Sequence, residues 1–352
     1  MKFSLIFFSG DEKRKYKFIL DAAQFADKNG LHAIWTPERH FHRFGGLYPN
    51  PAVLSAALAI STNRLGIRAG SVIAPLYSPI RIAEDWSVVD NLSRGRAGLS
   101  VATGFSPVDF ALRPEAWRDR RERTFNAVER IRELWECNPV YVEDGLGNQV
   151  EVELHPQPIQ PDLPIWLTCT KSPETFETAG QLGCNVLTGL IDMTNEELEQ
   201  KLELYWTSLD AAGYDREESE VTLMLHTFIG EDREQVRDTV REPFTQYLKS
   251  FLKVVDSQKQ NMAPGAGVRD MDADDQEQLI EFAFQKYFDK GALLGTVDSC
   301  RTVVDRFAGM GVTEIACLID FGVDETLVLE SLKQVVELAS IYSEERAECD
   351  VD

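Results

Sequence analysis

Short apolar runs alternate along the chain with longer segments whose apolar residues recur at helical spacing. The apolar runs predict strands at 3–8, 32–36, 65–72, 97–102, 164–169, 184–188, 220–228 and 313–319. The segments between them predict helices over 16–29, 51–61, 79–92, 119–136, 173–182, 194–212, 231–249, 298–309 and 323–339. Repeated strand–helix units build parallel sheets, because a parallel neighbour needs a crossover. Eight strands suit a closed (β/α)8 TIM barrel, with an open doubly wound sheet as the competing architecture. Two stretches interrupt the alternation. Residues 140–160 read as a β-hairpin insert with Gly145 and Gly147 in its turn. Residues 250–280 are polar and read as a long mobile loop, either a lid or a plain surface insertion.

A chain of 352 residues with 43% hydrophobic content is long enough for a large core, with roughly 75% of its unfolded surface buried. No Pro/Gly/Ser-rich linker divides it, so residues 1–342 read as one domain, followed by an acidic tail at 343–352. Lys and Arg number 36 against 58 Asp and Glu, a net charge of −22. Such acidity argues against duplex nucleic acid and anionic membrane surfaces as partners. Six cysteines, at 137, 169, 184, 300, 317 and 349, form no Cys-x-x-Cys pair, which fits reduced thiols in a cytoplasmic protein. The opening apolar run passes into a charged segment at 11–17, so it reads as a first strand instead of a signal peptide, and no run approaches the ~20 residues that span a bilayer.

The chemistry concentrates in Trp35-Thr-Pro-Glu-Arg-His-Phe41. This segment places Glu38, Arg39, His40 and His42 at the carboxyl end of the second strand, the end where parallel α/β proteins bind ligands. His40 and His42 lack a third ligand for a metal, so no metal is expected. The Gly-x-Gly pairs at 145–147 and 265–267 do not lie between a strand and a helix, and no nicotinamide fingerprint, phosphate loop or nucleophile elbow is present.

The chain resembles the bacterial-luciferase-like flavin monooxygenases, most closely the branch associated with nonribosomal peptide and polyketide pathways. The matching segments are 35–41, Phe-Gly-Gly-Leu-Tyr-Pro-Asn-Pro at 44–51, Arg-Ala-Gly-Ser-Val at 68–72, 79–96, Thr-Gly-Phe-Ser-Pro-Val-Asp-Phe at 103–110 and Leu-Gly-Thr at 294–296. The resemblance implies an eight-stranded barrel, reduced FMN (FMNH2) as co-substrate and oxygen as oxidant. It implies that the backbone at Gly70 and Ser71 packs under the flavin through a non-prolyl cis peptide, with Thr103 and Gly104 as further contacts. In that setting Thr170, Lys171 and Ser172, which precede a helix opened by Pro173, can receive the phosphate, although Ser172 as an ordinary helix cap fits the same residues. His40 is the candidate acid/base. Glu38 can orient it, and Arg39 can stabilise an anion or act as a salt-bridge partner. Phe7, Trp35 and Phe105 are candidate pocket walls or ordinary core.

Three departures from the family bear on chemistry. Arg39 stands where luciferase has its catalytic histidine, Ala102 where it has a reactive cysteine, and Phe105-Ser106 where the natural-product branch has Trp-His. With no nicotinamide domain, reduced FMN is expected from a separate flavin reductase. The substrate is expected to be a small natural-product intermediate, free or bound to a carrier protein. Arg113, Arg118, Arg120, Arg121, Arg123, Arg130 and Arg132 offer an acidic carrier a docking segment, or form an exposed helix with Arg–Glu pairs such as Arg118–Glu122. The resemblance and the apolar helix 79–92 favour a homodimer. An F420-dependent hydride-transfer enzyme and a non-catalytic flavin-binding subunit are the alternatives.

Overall fold

In the computed structural model residues 1–8, 16–41, 45–190, 193–262 and 273–349 are described. The chain runs β1 (Lys2–Ile6), α1 (Lys17–Lys28), β2 (Ala33–Thr36), α2 (Pro51–Ser61), β3 (Gly66–Ile73), α3 (Pro79–Ser93), β4 (Ala97–Ala102) and α4 (Arg120–Trp135). A hairpin, β5 (Val140–Glu143) and β6 (Gln149–Val152), comes next. Then follow β7 (Ile165–Thr168), α5 (Pro173–Gln181), β8 (Asn185–Gly189), α6 (Asn195–Ala211), β9 (Val221–Ile229), α7 (Arg233–Met262) and α8 (Ala273–Lys286). The chain ends with β10 (Leu293–Gly295), α9 (Val297–Gly309), β11 (Glu314–Leu318) and α10 (Glu325–Cys349).

Strands β1, β2, β3, β4, β7, β8, β9 and β11 pair in parallel, and β11 returns to β1 through the register Lys2↔Glu314 to Ile6↔Leu318. The ring is therefore a closed (β/α)8 barrel, and the open sheet is excluded. The helix boundaries follow local chemistry. Asn50 accepts a hydrogen bond from Val53 N at 3.0 Å ahead of Pro51, and Thr194 with Glu197 forms a capping box. Arg94, in the left-handed region at φ 62°, ends α3.

The hairpin insert lies where expected, antiparallel from Val140↔Val152 to Glu143↔Gln149. The long loop expected at 250–280 is corrected: α7 continues through Met262 and α8 begins at Ala273, while 263–272 lie outside the described residues. Polar composition misled there, because an amphipathic surface helix needs only one apolar stripe. The three-residue β10, which pairs with Thr227–Ile229 of β9, was too short to carry a period. The last helix runs through Cys349, into the segment expected to trail as an acidic tail. No helix among the described residues is long and apolar enough to cross a membrane.

A charged group fills the amino-terminal end of the barrel. Arg68 Nη1 donates to Glu314 Oε2 at 2.7 Å, Arg68 Nη2 meets His32 Nε2 at 2.9 Å, and the guanidinium lies 4.2 Å from the Trp166 ring centroid and 4.9 Å from that of Trp35. Glu314 also accepts from Trp35 Nε1 at 3.2 Å, Thr222 Oγ1 at 3.5 Å and the Ser4 hydroxyl. Burial alone would raise the Glu314 pKa, but the charges of Arg68 and His32 and these hydrogen bonds hold it below the ordinary carboxylate range. His32, Glu220 and Glu314 come within 4.8 Å of one another, a spacing that suits a metal ion. Arg68, 3.5 Å from Glu220 as well, is the cation among them.

Removing one partner of such a pair strands a buried charge, which costs about 3–5 kcal/mol. Glu314→Leu is therefore expected to lower unfolding stability in urea by that order. The double variant Arg68→Met/Glu314→Leu is expected to lose less than Glu314→Leu alone.

Candidate active site

Because the eight barrel strands run in parallel, the loops after them open on one rim. The loop after β2 carries Glu38, and this carboxylate is fully engaged. Glu38 Oε2 accepts from Ile73 N at 2.6 Å, and Oε1 accepts from the Tyr77 hydroxyl at 2.5 Å and lies 2.7 Å from His40 Nε2. Glu38 thus ties the end of β2 to the end of β3. Burial, followed by the negative charge of Glu38, pushes the Tyr77 hydroxyl far above its ordinary pKa, so it stays a donor. His40 is buried with Nε2 committed to the carboxylate, which assigns the neutral ring's proton to Nε2 and makes Nδ1 the nitrogen that can accept one. His42 lies outside the described residues.

Arg39 is held differently. Its guanidinium carbon lies 3.9 Å from the Phe8 ring centroid and 5.6 Å from that of Phe105, its Nε is buried without a hydrogen-bond partner, and it forms no ion pair among the described residues. The salt-bridge alternative finds no partner among the described residues: Glu38 is next in sequence but is engaged by Ile73 N, Tyr77 and His40. The loop closes over the arginine stem through Arg39 N to Tyr48 O at 2.8 Å. Gly45, at φ 76°, is required there, since a Cβ would sit 2.7 Å from Arg39 Cγ and 2.9 Å from the Phe8 carbonyl oxygen.

Next around the rim come β3, β4 and β7. The Gly70–Ser71 peptide is cis, and the β3–β4 ladder shifts register between Ala69 and Val72. Ser71 Oγ lies 2.8 Å from Ser100 Oγ and hydrogen-bonds Thr168 Oγ1, which is 3.0 Å from Ser100 Oγ. Gly104, at φ 73°, is pressed between Phe110 and Ile73, where a Cβ would approach to 2.8 and 2.9 Å. Thr103 is half-buried beside it, and the Ser106 hydroxyl two residues on is buried without a partner.

At the end of β7, Thr170 and Lys171 are exposed and Ser172 opens α5. The Ser172 side chain makes no cap; its hydroxyl lies 3.2 Å from Glu174 Oε2 and 3.4 Å from Arg121 Nη1, while Arg121 Nη2 lies 3.4 Å from the same Glu174 oxygen. Bonds this long are weak. The corner therefore combines a hydroxyl, a guanidinium, a lysine and a helix amino terminus in a loose arrangement that a stronger anion can displace.

Across the barrel, a narrow cavity is walled by Phe8, Leu190, Met224, His226, Tyr287 and Leu318. His226 is ringed by Phe244, Tyr247, Tyr287 and Phe321, with centroids 4.7 to 5.9 Å away, and its buried Nε2 has no partner. Burial lowers this imidazole to about 3. A larger cleft of about 650 Å³, bounded by Phe3, Leu31, His32, Arg64 and Tyr342, opens at the amino-terminal end, away from all these groups.

Glu38 and His40 therefore meet directly, and Gly70, Ser71, Thr103, Gly104 and Thr170 to Ser172 follow them around one arc of the rim. Phe7 and Trp35 are not pocket walls: Phe7 packs on Phe18 of α1, and Trp35 packs on Trp166 and Glu314 inside the barrel. Ser100, Thr168, Tyr77 and His226 were missed; the signal for Ser100 and Thr168 was a hydroxyl inside an otherwise apolar strand. Most of the arginine segment is spent internally. Arg113, Arg120 and Arg132 donate to backbone carbonyls, and Arg123 and Arg130 pair with Asp119 and Glu133 in place of the expected Arg118–Glu122 pair.

A family model described as luciferase-like monooxygenase matches residues 1–314. The flavin-dependent trigonelline monooxygenase oxygenase component of Acinetobacter baylyi is 28% identical over 348 residues, covering 96% of this chain and 92% of that protein. Two solved structures share the fold. The oxygenating constituent of 3,6-diketocamphane monooxygenase from Pseudomonas putida, in complex with FMN, has a TM-score of 0.74 at 16% identity, over 96% of this chain and 98% of that one. An F420-dependent secondary alcohol dehydrogenase has a TM-score of 0.70 at 18% identity, over 96% and 99%.

His226 gives a pH test. Its folded pKa of about 3 lies below the ordinary 6.5, so the unfolded chain takes up a proton that the native state refuses between those values. Stability from this group is complete above about pH 6.5 and falls as the pH drops towards 3. In urea unfolding at pH 7, 6 and 5, the wild type is expected to lose more stability than His226→Gln over the same range.

Proposed function

The chain belongs to the luciferase-like monooxygenase family, and from this premise we propose that it is the oxygenase of a two-component system, taking reduced FMN from a separate flavin reductase and oxygenating a small natural-product intermediate. The observation that carries this reading is the buried Glu38–His40 pair, 2.7 Å apart and anchored on Ile73 N, beside a rim suited to a flavin.

The residues fit the cofactor on chemical grounds. Ser172, Arg121, Lys171 and the amino end of α5 offer donors for a phosphate, with Thr170 alongside. The orphaned Ser106 hydroxyl and the tight Gly104 turn mark a surface built for close approach by a ligand. In this reading the flavin ring lies over Gly70, Ser71, Thr103 and Gly104. When bound, reduced flavin supplies the electrons that activate oxygen.

The chain's own residues do the remainder. Glu38 fixes the His40 ring and tautomer, so that Nδ1 can accept a proton from the substrate and return it. Glu38 also stabilises the imidazolium formed in between. Tyr77 and Ile73 N hold that carboxylate in place, which lets it polarise His40 without swinging towards the substrate. The apolar walls at Phe8, Leu190, Met224 and Leu318 exclude water from the reacting centre. The internal spending of the arginine segment favours a free substrate over one delivered by a carrier. Exposed Val53 and Ile60 on α2, with Val88 and Leu92 on α3, support a homodimer contact through these helices. The five described cysteines are free, which accords with a cytoplasmic setting.

Anaerobic titration with reduced FMN, riboflavin and F420 tests the cofactor. FMN is expected to bind at least about 10-fold tighter than riboflavin, the scale of one or two charge-assisted hydrogen bonds. Arg121→Met and Ser172→Ala should shrink that difference; tighter binding of F420 than of FMN would contradict the reading. His40→Gln should lower turnover by about 10²–10⁴-fold while leaving FMN affinity intact.

A further inference from the structure

Three hydroxyls meet inside the barrel, towards its carboxyl mouth. Ser71 of β3, Ser100 of β4 and Thr168 of β7 stand on neighbouring strands. Ser71 Oγ lies 2.8 Å from Ser100 Oγ, Ser100 Oγ lies 3.0 Å from Thr168 Oγ1, and Thr168 Oγ1 is hydrogen-bonded to Ser71 Oγ. Alternation along β3 from Arg68, which points inward to Glu314, would turn Ser71 outward; the register shift between Ala69 and Val72 brings its hydroxyl round to Ser100. The three oxygens thus close a ring of three contacts. A hydroxyl has one hydrogen and two lone pairs, so the ring consumes all three hydrogens and leaves one lone pair on each oxygen. No other hydrogen bond joins these side chains to the described residues. Gly70, Ala102 and Thr168 keep part of their surface accessible although they belong to barrel strands, so the triad borders the open mouth. What it presents to a ligand there is a set of acceptors with no donor to spare.

Flavin changes in this respect with its oxidation state. The nitrogen of its central ring is a bare acceptor when flavin is oxidised and carries a hydrogen when it is reduced. In a deazaflavin such as F420, carbon stands at that position in both states. We propose that Ser71, Ser100 and Thr168 sense the oxidation state of the cofactor: they accept a hydrogen bond from the central-ring N–H and so select reduced FMN over oxidised FMN and over reduced deazaflavins. Facing an oxidised ring, the triad must either open one of its own hydrogen bonds to donate or leave the ring nitrogen unpaired. Either way one hydrogen bond is lost, close to a tenfold difference in affinity. The cofactor therefore binds tightly as it arrives and loosens once it is spent, which suits a chain that exchanges flavin with a separate reductase. The inference rests on the reading that lays the flavin ring over Gly70 and Ser71.

Anaerobic titration of the full chain with reduced FMN, oxidised FMN and reduced 5-deaza-FMN tests it without turnover. Reduced FMN is expected to bind about 10-fold tighter than either of the others. The same preference should raise the two-electron potential of bound flavin about 30 mV above that of free FMN. Thr168→Ser keeps the hydroxyl and should keep the preference, whereas Thr168→Val should lose it. Ser100→Ala leaves two hydroxyls that share one contact, which frees one hydrogen to donate; the preference for reduced FMN should vanish or reverse. Circular dichroism checks that each variant folds, and the two sites give independent tests. Equal affinity for reduced and oxidised FMN in the wild type would overturn the proposal, as expected if the triad met the pyrimidine-ring N–H that both states carry. So would a preference that extends to reduced 5-deaza-FMN, or one that survives in both Thr168→Val and Ser100→Ala. Failure to bind FMN in either state is a different result: it would remove the cofactor reading on which the proposal rests, and the proposal with it.

Discussion

Arg68 and Glu314 meet inside the barrel at 2.7 Å, and the shape of the molecule follows from how that pair is satisfied. Their partners come from β1, β2, β9 and β11, with the Trp166 ring of β7 below the guanidinium. Two charges removed from water demand this many contacts, because desolvation costs several kcal/mol per ion. The arrangement occupies the amino-terminal end of the barrel interior, and the candidate site gathers at the opposite rim. It also explains why a cluster with metal-like spacing at His32, Glu220 and Glu314 already holds a cation.

On that rim, Glu38 plays the corresponding part. One carboxylate bonded to Ile73 N, Tyr77 and His40 joins the loops after β2 and β3 into a single unit. Since Ile73 also presses on Gly104, the β4 loop is positioned from the same point. His40 and the rim surface proposed for the flavin are thus fixed relative to one another by packing and hydrogen bonds, the condition under which a catalytic group works without reorganising. Arg39, beside Glu38, forms no ion pair among the described residues and lies against the rings of Phe8 and Phe105.

Much of this was legible in the sequence, for physical reasons that differ by element. Buried parallel strands read as apolar runs, so all eight barrel strands were located, and turn residues marked the hairpin at 140–152. The Glu38–His40 pair was legible because charged groups at a strand end have few structural uses. The helices around 250–280 were not, because a polar surface helix and a loop share a composition. The pairing of Arg121 with Ser172 and Glu174 depends on a contact spanning some fifty residues, 51 and 53 apart in sequence, which no local pattern reveals. His226 was invisible for a related reason: its environment comes from α7, the turn after α8 and the loop after β11.

The central claim, that this rim couples reduced FMN to oxygen, is tested most directly by rapid mixing of the chain, loaded anaerobically with reduced FMN, against oxygenated buffer while absorbance is recorded. The account predicts a transient spectrum, distinct from reduced and oxidised flavin, that outlives the oxidation of free flavin. Oxidation at the free-flavin rate with no such transient would contradict it.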